Sequence, residues 1–195
     1  LNEAIIRGVE NPFNEMGGLK VLHGNMGIAV IKTSAVHEDH HIIKAEAVVF
    51  DDQDDLIKAF KNDELNKDFI AVIPFQGPKQ KGMPELHKLT PTLTILQKKG
   101  FNVALVTDGR MSGASGKIPA AIHLTPEAKD GGLIGRVRTG DLIGLNATTG
   151  ELNCLSDISD RPARQLDYDT TTHGLALFDN LRNMLSQSTD GASFL

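Results

Sequence analysis

Two polar stretches hold the residues that could do chemistry. The first, Asp108-Gly-Arg-Met-Ser-Gly-Ala-Ser-Gly-Lys117, mixes glycines, hydroxyls and cations. Its glycines, Gly113 among them, let backbone amides approach an anion, and Arg110 and Lys117 add positive charge. It is not a P-loop: Met111 stands where the first glycine belongs, and Ile118 where a hydroxyl residue must follow the lysine. Nor is it a hydrolase elbow, because the spacing around Ser112 is Gly109-x-x-Ser-Gly113. The plain alternative is a Gly/Ser turn without chemistry. The second stretch is Gln76-Gly-Pro-Lys-Gln-Lys-Gly-Met-Pro-Glu85. Glu85 could give an oxygen to a hard cation such as Mg²⁺, or it could simply be an acid in a first helical turn after Pro84.

The elements around these stretches must put them side by side. Phe69–Phe75 and Phe101–Thr107 are continuous apolar runs of strand length, the pattern of strands buried on both faces. Between them Leu89, Leu93 and Leu96 repeat at helical spacing over Leu86–Lys99, and Gly100 closes the helix. A strand–helix–strand unit makes a parallel crossover, so both polar stretches leave the carboxyl ends of neighbouring strands, where α/β sheets bind ligands. Glu85 and Ser112 are then expected at one pocket. Upstream, Leu19–His23 and Gly27–Lys32 read as strands about a turn, and Ile42–Phe50 as a strand leading to a helix over Asp55–Phe60. Downstream, Ile118–Thr125, Leu133–Arg138, Leu142–Asn146 and Glu151–Leu155 read as short strands of an antiparallel or barrel-like second layer. From Thr170 onward, Leu175, Leu177, Phe178, Leu181 and Leu185 give an amphipathic closing helix. One domain is expected, with residues 1–18 as lead-in, 19–160 as core and 170–195 as helix and tail.

Composition narrows the partners. A formal charge of −5 argues against a nucleic-acid binder working through a general basic field. No apolar run approaches the ~20 residues that cross a bilayer, and no secretory signal is visible. Cys154 is the one cysteine, which rules out an internal disulfide, a Cys-rich zinc module or an iron–sulfur cluster held by this chain alone. A reducing, cytoplasmic setting is expected. The opening Leu1-Asn-Glu3 suggests a piece of something longer. Other polar clusters have cheaper explanations. His37-Glu-Asp-His-His41 has metal-ligand types but suits a solvated loop, and Asp51–Asp55 suits a helix start, since Leu56 stands where a calcium loop needs glycine. His123 in an apolar strand is read as a core or cleft histidine, His87 stays open between surface and site, and Cys154 is read as a small buried hydrophobe.

Taken together the motifs are specific. Gly77-Pro-Lys79 with Gly82-Met-Pro-Glu85, then Val106-Thr-Asp-Gly-Arg-Met-Ser-Gly113, then His123-Leu-Thr-Pro-Glu-Ala128, resemble the C-terminal domain of the dehydratases of sugar acids and dihydroxy acids. The variant Phe75-Gln-Gly-Pro78 with Glu85-Leu-His-Lys-Leu-Thr-Pro91 and Ser112-Gly-Ala-Ser-Gly-Lys-Ile-Pro119 is most similar to the branch acting on 6-phosphogluconate. Leu19-Lys-Val-Leu-His-Gly-Asn25 and Ile31-Lys-Thr-Ser-Ala-Val36 continue the likeness upstream.

The resemblance implies an α/β fold, a swivelling β/β/α domain with a barrel-like mixed sheet and flanking helices. It implies loss of water from a 2,3-dihydroxy acid to give a 2-keto acid. It also implies cofactors in the complete enzyme: an iron–sulfur cluster, expected as 4Fe–4S, that takes the leaving hydroxyl, and Mg²⁺ at the carboxylate side. Ser112 is implied as the base, Glu85 as a metal ligand, and Arg110, Gly113 and Lys117 as substrate contacts. The cluster cysteines and other metal ligands belong in the family to an N-terminal domain, the expected partner, so this chain alone should bind no cofactor and be inactive. A homodimer is expected, with a small sugar-acid substrate and neither nucleic acid nor membrane as partner. One departure is Ala114, where some sugar-acid members carry a hydroxyl. Two rival readings are a serine hydrolase using Ser112 and His123, and a non-catalytic swivelling module that packs on a partner.

Overall fold

The computed structural model describes residues 2–13, 17–112, 117–166 and 175–194. Leu19–Gly24 (β1) and Gly27–Lys32 (β2) form an antiparallel hairpin, which Gly27 permits. Its φ is +119°, and a Cβ there would lie 2.1 Å from the Thr125 carbonyl oxygen. Ile42–Val49 (β3) leads into Gln53–Lys61 (α1), where Asp52 caps the helix by accepting the Asp54 N–H at 3.1 Å. Asp54 and Asp55 occupy the first turn and Lys58 and Lys61 the last, each complementing the helix dipole. The acidic cluster is thus a helix start.

Phe69–Ile73 (β4), Pro78–Lys81 (α2), Leu89–Lys98 (α3) and Val103–Thr107 (β5) follow, then Ala120–Thr125 (β6), Leu142–Asn146 (β7), Glu151–Cys154 (β8) and Leu175–Asn183 (α4). The strands close into one barrel in the order β1-β2-β6-β5-β4-β3-β7-β8. Strands β3, β4, β5 and β6 run parallel to their neighbours in that order, and the other pairings are antiparallel except the β1–β8 seam. That seam carries a parallel pairing of His23 with Glu151, reinforced by Asn25, whose side chain both donates to and accepts from the Cys154 backbone at 2.7 and 2.8 Å.

Two buried clusters explain the continuous apolar runs. Ile70, Val72, Ala104 and Val106 point into the barrel with Leu22, Ile31, Ile43 and Leu145. The alternate residues Phe69, Ile73, Val103 and Leu105 point outward and are covered by Leu56 of α1 and Leu89, Leu93 and Leu96 of α3. A strand packed on both faces needs no polar alternation.

Two expectations change. Residues 133–138 are not a strand: Leu133–Arg136 is a 3₁₀ turn, with the Gly135 N–H donating to the Gly132 carbonyl at 3.0 Å. The apolar pattern there buries Ile134 and Val137 in the barrel cluster without any ladder partner. The expected barrel-like layer is present and closes on the parallel strands as one barrel, because β6 pairs with β5 on one edge and β2 on the other. Helix α3 starts at Leu89, not Leu86, and α2 arises inside what reads as plain loop. The fold is an α/β domain with a closed, mixed eight-stranded barrel flanked by helices, matching the swivelling barrel-like class. No helix among the described residues is long and apolar enough to cross a membrane. The closing helix expected from Thr170 begins in residues outside those described, as do the side chains of Leu175 and Leu177.

Candidate functional site

Strands β4 and β5 are parallel neighbours in register, Ile73 beside Thr107, so their following loops start together. The Thr107 hydroxyl locks the two tips: it donates to the Ile73 carbonyl at 2.7 Å and accepts the Gly109 N–H at 3.0 Å. The β4 loop then turns back through left-handed Gly82 and Met83, at φ of 71° and 55°, and meets the β5 loop in a bridge between Glu85 and Arg110. A side chain such as that of Met83 pays for such a backbone, and strain of this kind gathers at functional sites.

The bridge joins the residues singled out in sequence. One oxygen of Glu85 accepts the Ser112 N–H at 2.5 Å, and the other lies 3.4 Å from Nη1 of Arg110. Arg110 Nε donates to the Met83 carbonyl at 2.7 Å, and the Leu86 N–H donates to the Arg110 carbonyl at 3.2 Å. That last bond explains why Leu86 is not helical, and it removes the first-turn reading of Glu85. Ser112 is exposed and borders a cavity of about 150 Å³ walled by Leu19, Met111, Ile118, Ala120 and Ile122, with Lys32 of β2 also on its lining. Lys117 is exposed, and its carbonyl accepts from Gln97 of α3 at 3.4 Å. Gly113 lies outside the described residues.

Behind this mouth sit two buried acids that sequence reasoning did not single out. Asp108, wholly buried, accepts backbone N–H groups from Phe75 (3.1 Å), Gln76 (2.8 Å) and Ala128 (2.9 Å). Burial pushes its pKa up to about 6, against the opposing pull of those donors. Glu127, also buried, accepts the Lys79 N–H through both oxygens at 3.1 and 3.2 Å and is raised to about 7, chiefly by burial. Its carboxylate takes the space of a side chain at Gly77, where a Cβ would stand 1.8 Å from Oε2. The available signal was position: Asp108 directly follows a doubly buried strand. His123 is half-buried on β6 with φ 56°, and burial together with Arg110 holds its pKa below the usual imidazole value. His87 is exposed, and Glu38–His40 forms a 3₁₀ turn with no buried residue.

Among the described residues no group of three or more His, Cys, Asp and Glu side chains is gathered as a metal site. Magnesium takes about six oxygen ligands. Glu85 fits as the donor of one of them, and the described residues bring no pair of further His, Cys, Asp or Glu side chains beside it. An iron–sulfur cluster does not fit: Cys154 is buried on β8, on the opposite wall of the barrel from β5.

Comparison with known proteins agrees with this picture. Residues 4–192 match the family model described as dihydroxy-acid/6-phosphogluconate dehydratase C-terminal. The chain is 49% identical over 196 residues to phosphogluconate dehydratase of Pseudomonas aeruginosa, covering 98% of this chain and 32% of that protein. It is 50% identical over 198 residues to phosphogluconate dehydratase of Escherichia coli K12, covering 99% of this chain and 33% of the relative. A dihydroxy-acid dehydratase of Wolinella succinogenes is 36% identical over 180 residues, 90% of this chain and 32% of its own length. The chain spans about a third of the length of the curated relatives it matches. With the matched residues running through the barrel and both loops of the Glu85–Ser112 mouth, the chain belongs to the dihydroxy-acid/6-phosphogluconate dehydratase C-terminal family.

Proposed function

We propose that this chain is the C-terminal swivelling domain of a longer hydro-lyase that removes water from 6-phosphogluconate to give 2-keto-3-deoxy-6-phosphogluconate, a step of the Entner–Doudoroff pathway. Identities of 49% and 50% to phosphogluconate dehydratases, against 36% to a dihydroxy-acid dehydratase, support this substrate over a branched dihydroxy acid. Its partner is an N-terminal domain of the same protein carrying an iron–sulfur cluster and the remaining magnesium ligands, in a cytoplasmic homodimer. The chain by itself is inactive.

The observation that carries the reading is the Glu85–Ser112 junction, where the Glu85 carboxylate accepts the backbone N–H of exposed Ser112, which itself borders a small cavity. Ser112 is the base that removes the C2 proton, and Glu85 gives one oxygen to magnesium. When bound, magnesium supplies positive charge beside the substrate carboxylate and so acidifies the C2 proton. A serine hydroxyl is a poor base on its own and needs neighbouring positive charge to hold its alkoxide. Arg110 stands two residues away and is half-exposed, so it can serve that charge and the substrate's anionic groups together with Lys117 and Gly113.

Ser112→Ala in the complete enzyme is expected to lower turnover by a factor of roughly 10²–10⁴, the range for losing a positioned base. Keto-acid formation measures it, with metal content checked by elemental analysis. Near-normal turnover at full metal content rejects Ser112 as the base, and an inactive wild type rejects the substrate.

A further inference from the structure

We propose that Asp108 is a positioning residue that sets the separation of Glu85 and Ser112, an inference resting on the site reading above. The loop from Gln76 to Glu85 is held at both ends by the same short segment of the β5 loop. At its root, the Phe75 and Gln76 N–H groups both donate to Asp108, one to each oxygen. At its tip, Glu85 meets Arg110 and Ser112. Two consecutive N–H groups reach one carboxylate here because Phe75 has left-handed backbone, at φ 62°.

The third bond brings in a third segment. Ala128 N–H donates to Oδ2 of Asp108, and the adjacent Glu127 accepts the Lys79 N–H, pinning the same loop at its middle. Asp108 is therefore the point where the turns after β4, β5 and β6 are tied together. An anion suits the task, since three donors converge on it and hydrogen bonds to charged acceptors are the strong ones. Burying a carboxylate is costly, and these donors offset the cost only while all three keep their geometry. An amide in its place would turn one donating group toward backbone N–H groups.

Two measurements test this. In this chain, NMR should show slow amide exchange at Phe75, Gln76 and Ala128, and through-bond coupling from those amide nitrogens to the Asp108 side-chain carboxyl carbon. Fast exchange at all three without coupling overturns the proposal. In the complete enzyme, Asp108→Asn is expected to lower kcat at least tenfold while KM changes less than threefold, because Arg110 and Lys117 keep their charge. If D108N does not fold, Asp108→Glu keeps the anion but displaces it by one methylene, and the same split of kcat from KM is expected. A folded variant with wild-type kcat overturns the proposal, as does a lowered melting temperature without loss of turnover. Wild-type enzyme assayed in parallel separates the two ideas: its inactivity on 6-phosphogluconate sinks the substrate reading and leaves the amide measurement to decide on Asp108.

Discussion

Arg110 carries two loads. Nε supports the Met83 carbonyl in a left-handed turn, and Nη1 lies beside Glu85, yet the side chain stays about half open to solvent. Lys117 is simpler: its backbone is tied to Gln97 and its side chain is exposed. Lys117→Gln in the complete enzyme is therefore expected to raise KM by about tenfold, the scale of one lost charged hydrogen bond, with kcat within a factor of about two. Steady-state kinetics decides it, and an unchanged KM removes Lys117 from substrate binding. At this scale the sequence was informative about type and poor about burial. Ser112, Glu85, Arg110 and Lys117 stand out because polar residues after apolar strands have few structural uses. Asp108 and Glu127 look like ordinary loop charges until folding encloses them, and enclosure depends on chain segments far apart in sequence.

Elements were legible where one local rule dominated. Strands β4 and β5 came from unbroken apolar runs, and α1 from its acidic start. Reading failed where a tertiary partner outvoted the pattern. Leu86 belongs by type to the following helix but is held by the Arg110 carbonyl, and Leu133–Arg136 has strand-like residues with no strand to pair with. Helix α2 is four residues long with Pro78 at its start, too short to show periodicity. Gly77, just before it, is required for a steric reason, not a torsional one. A methyl there would stand 1.8 Å from Glu127 Oε2 and 2.8 Å from its Cβ. Gly77→Ala should destabilise this chain by about 1–3 kcal/mol, the usual cost of overfilling a packed site. Denaturant unfolding measures it, and a change within about 0.5 kcal/mol would mean that Glu127 yields without cost.

For the whole molecule the buried acids set a pH dependence. Asp108 at about 6 and Glu127 at about 7 both hold protons to higher pH when folded than when unfolded. Between about pH 4 and pH 7 the folded chain then binds more protons, and stability falls as pH rises through that window. Glu127 faces Asp108 and Asp130, which raise it, and Lys79, which lowers it. His123, shifted down by burial and Arg110, acts in the opposite sense below its usual value of 6.5. With two acids against one histidine, the melting temperature of this chain should be higher near about pH 5 than near about pH 7.5, and Glu127→Gln should shrink the difference. A melting temperature that rises across the interval would contradict the enclosure of these carboxylates.

The barrel was legible in part. Short strands and Gly-rich turns pointed to a barrel-like layer, but closure depends on which ends meet, and the β1–β8 seam joins residues 23 and 151. That ring has a practical meaning for this chain handled in isolation. Among the described residues every strand has a companion on each side, so this barrel offers no raw border onto which another molecule could zip and seed a fibre. Self-association is then expected to start from greasy spots such as Leu19, Val21 and Ile28, which the outer wall leaves exposed.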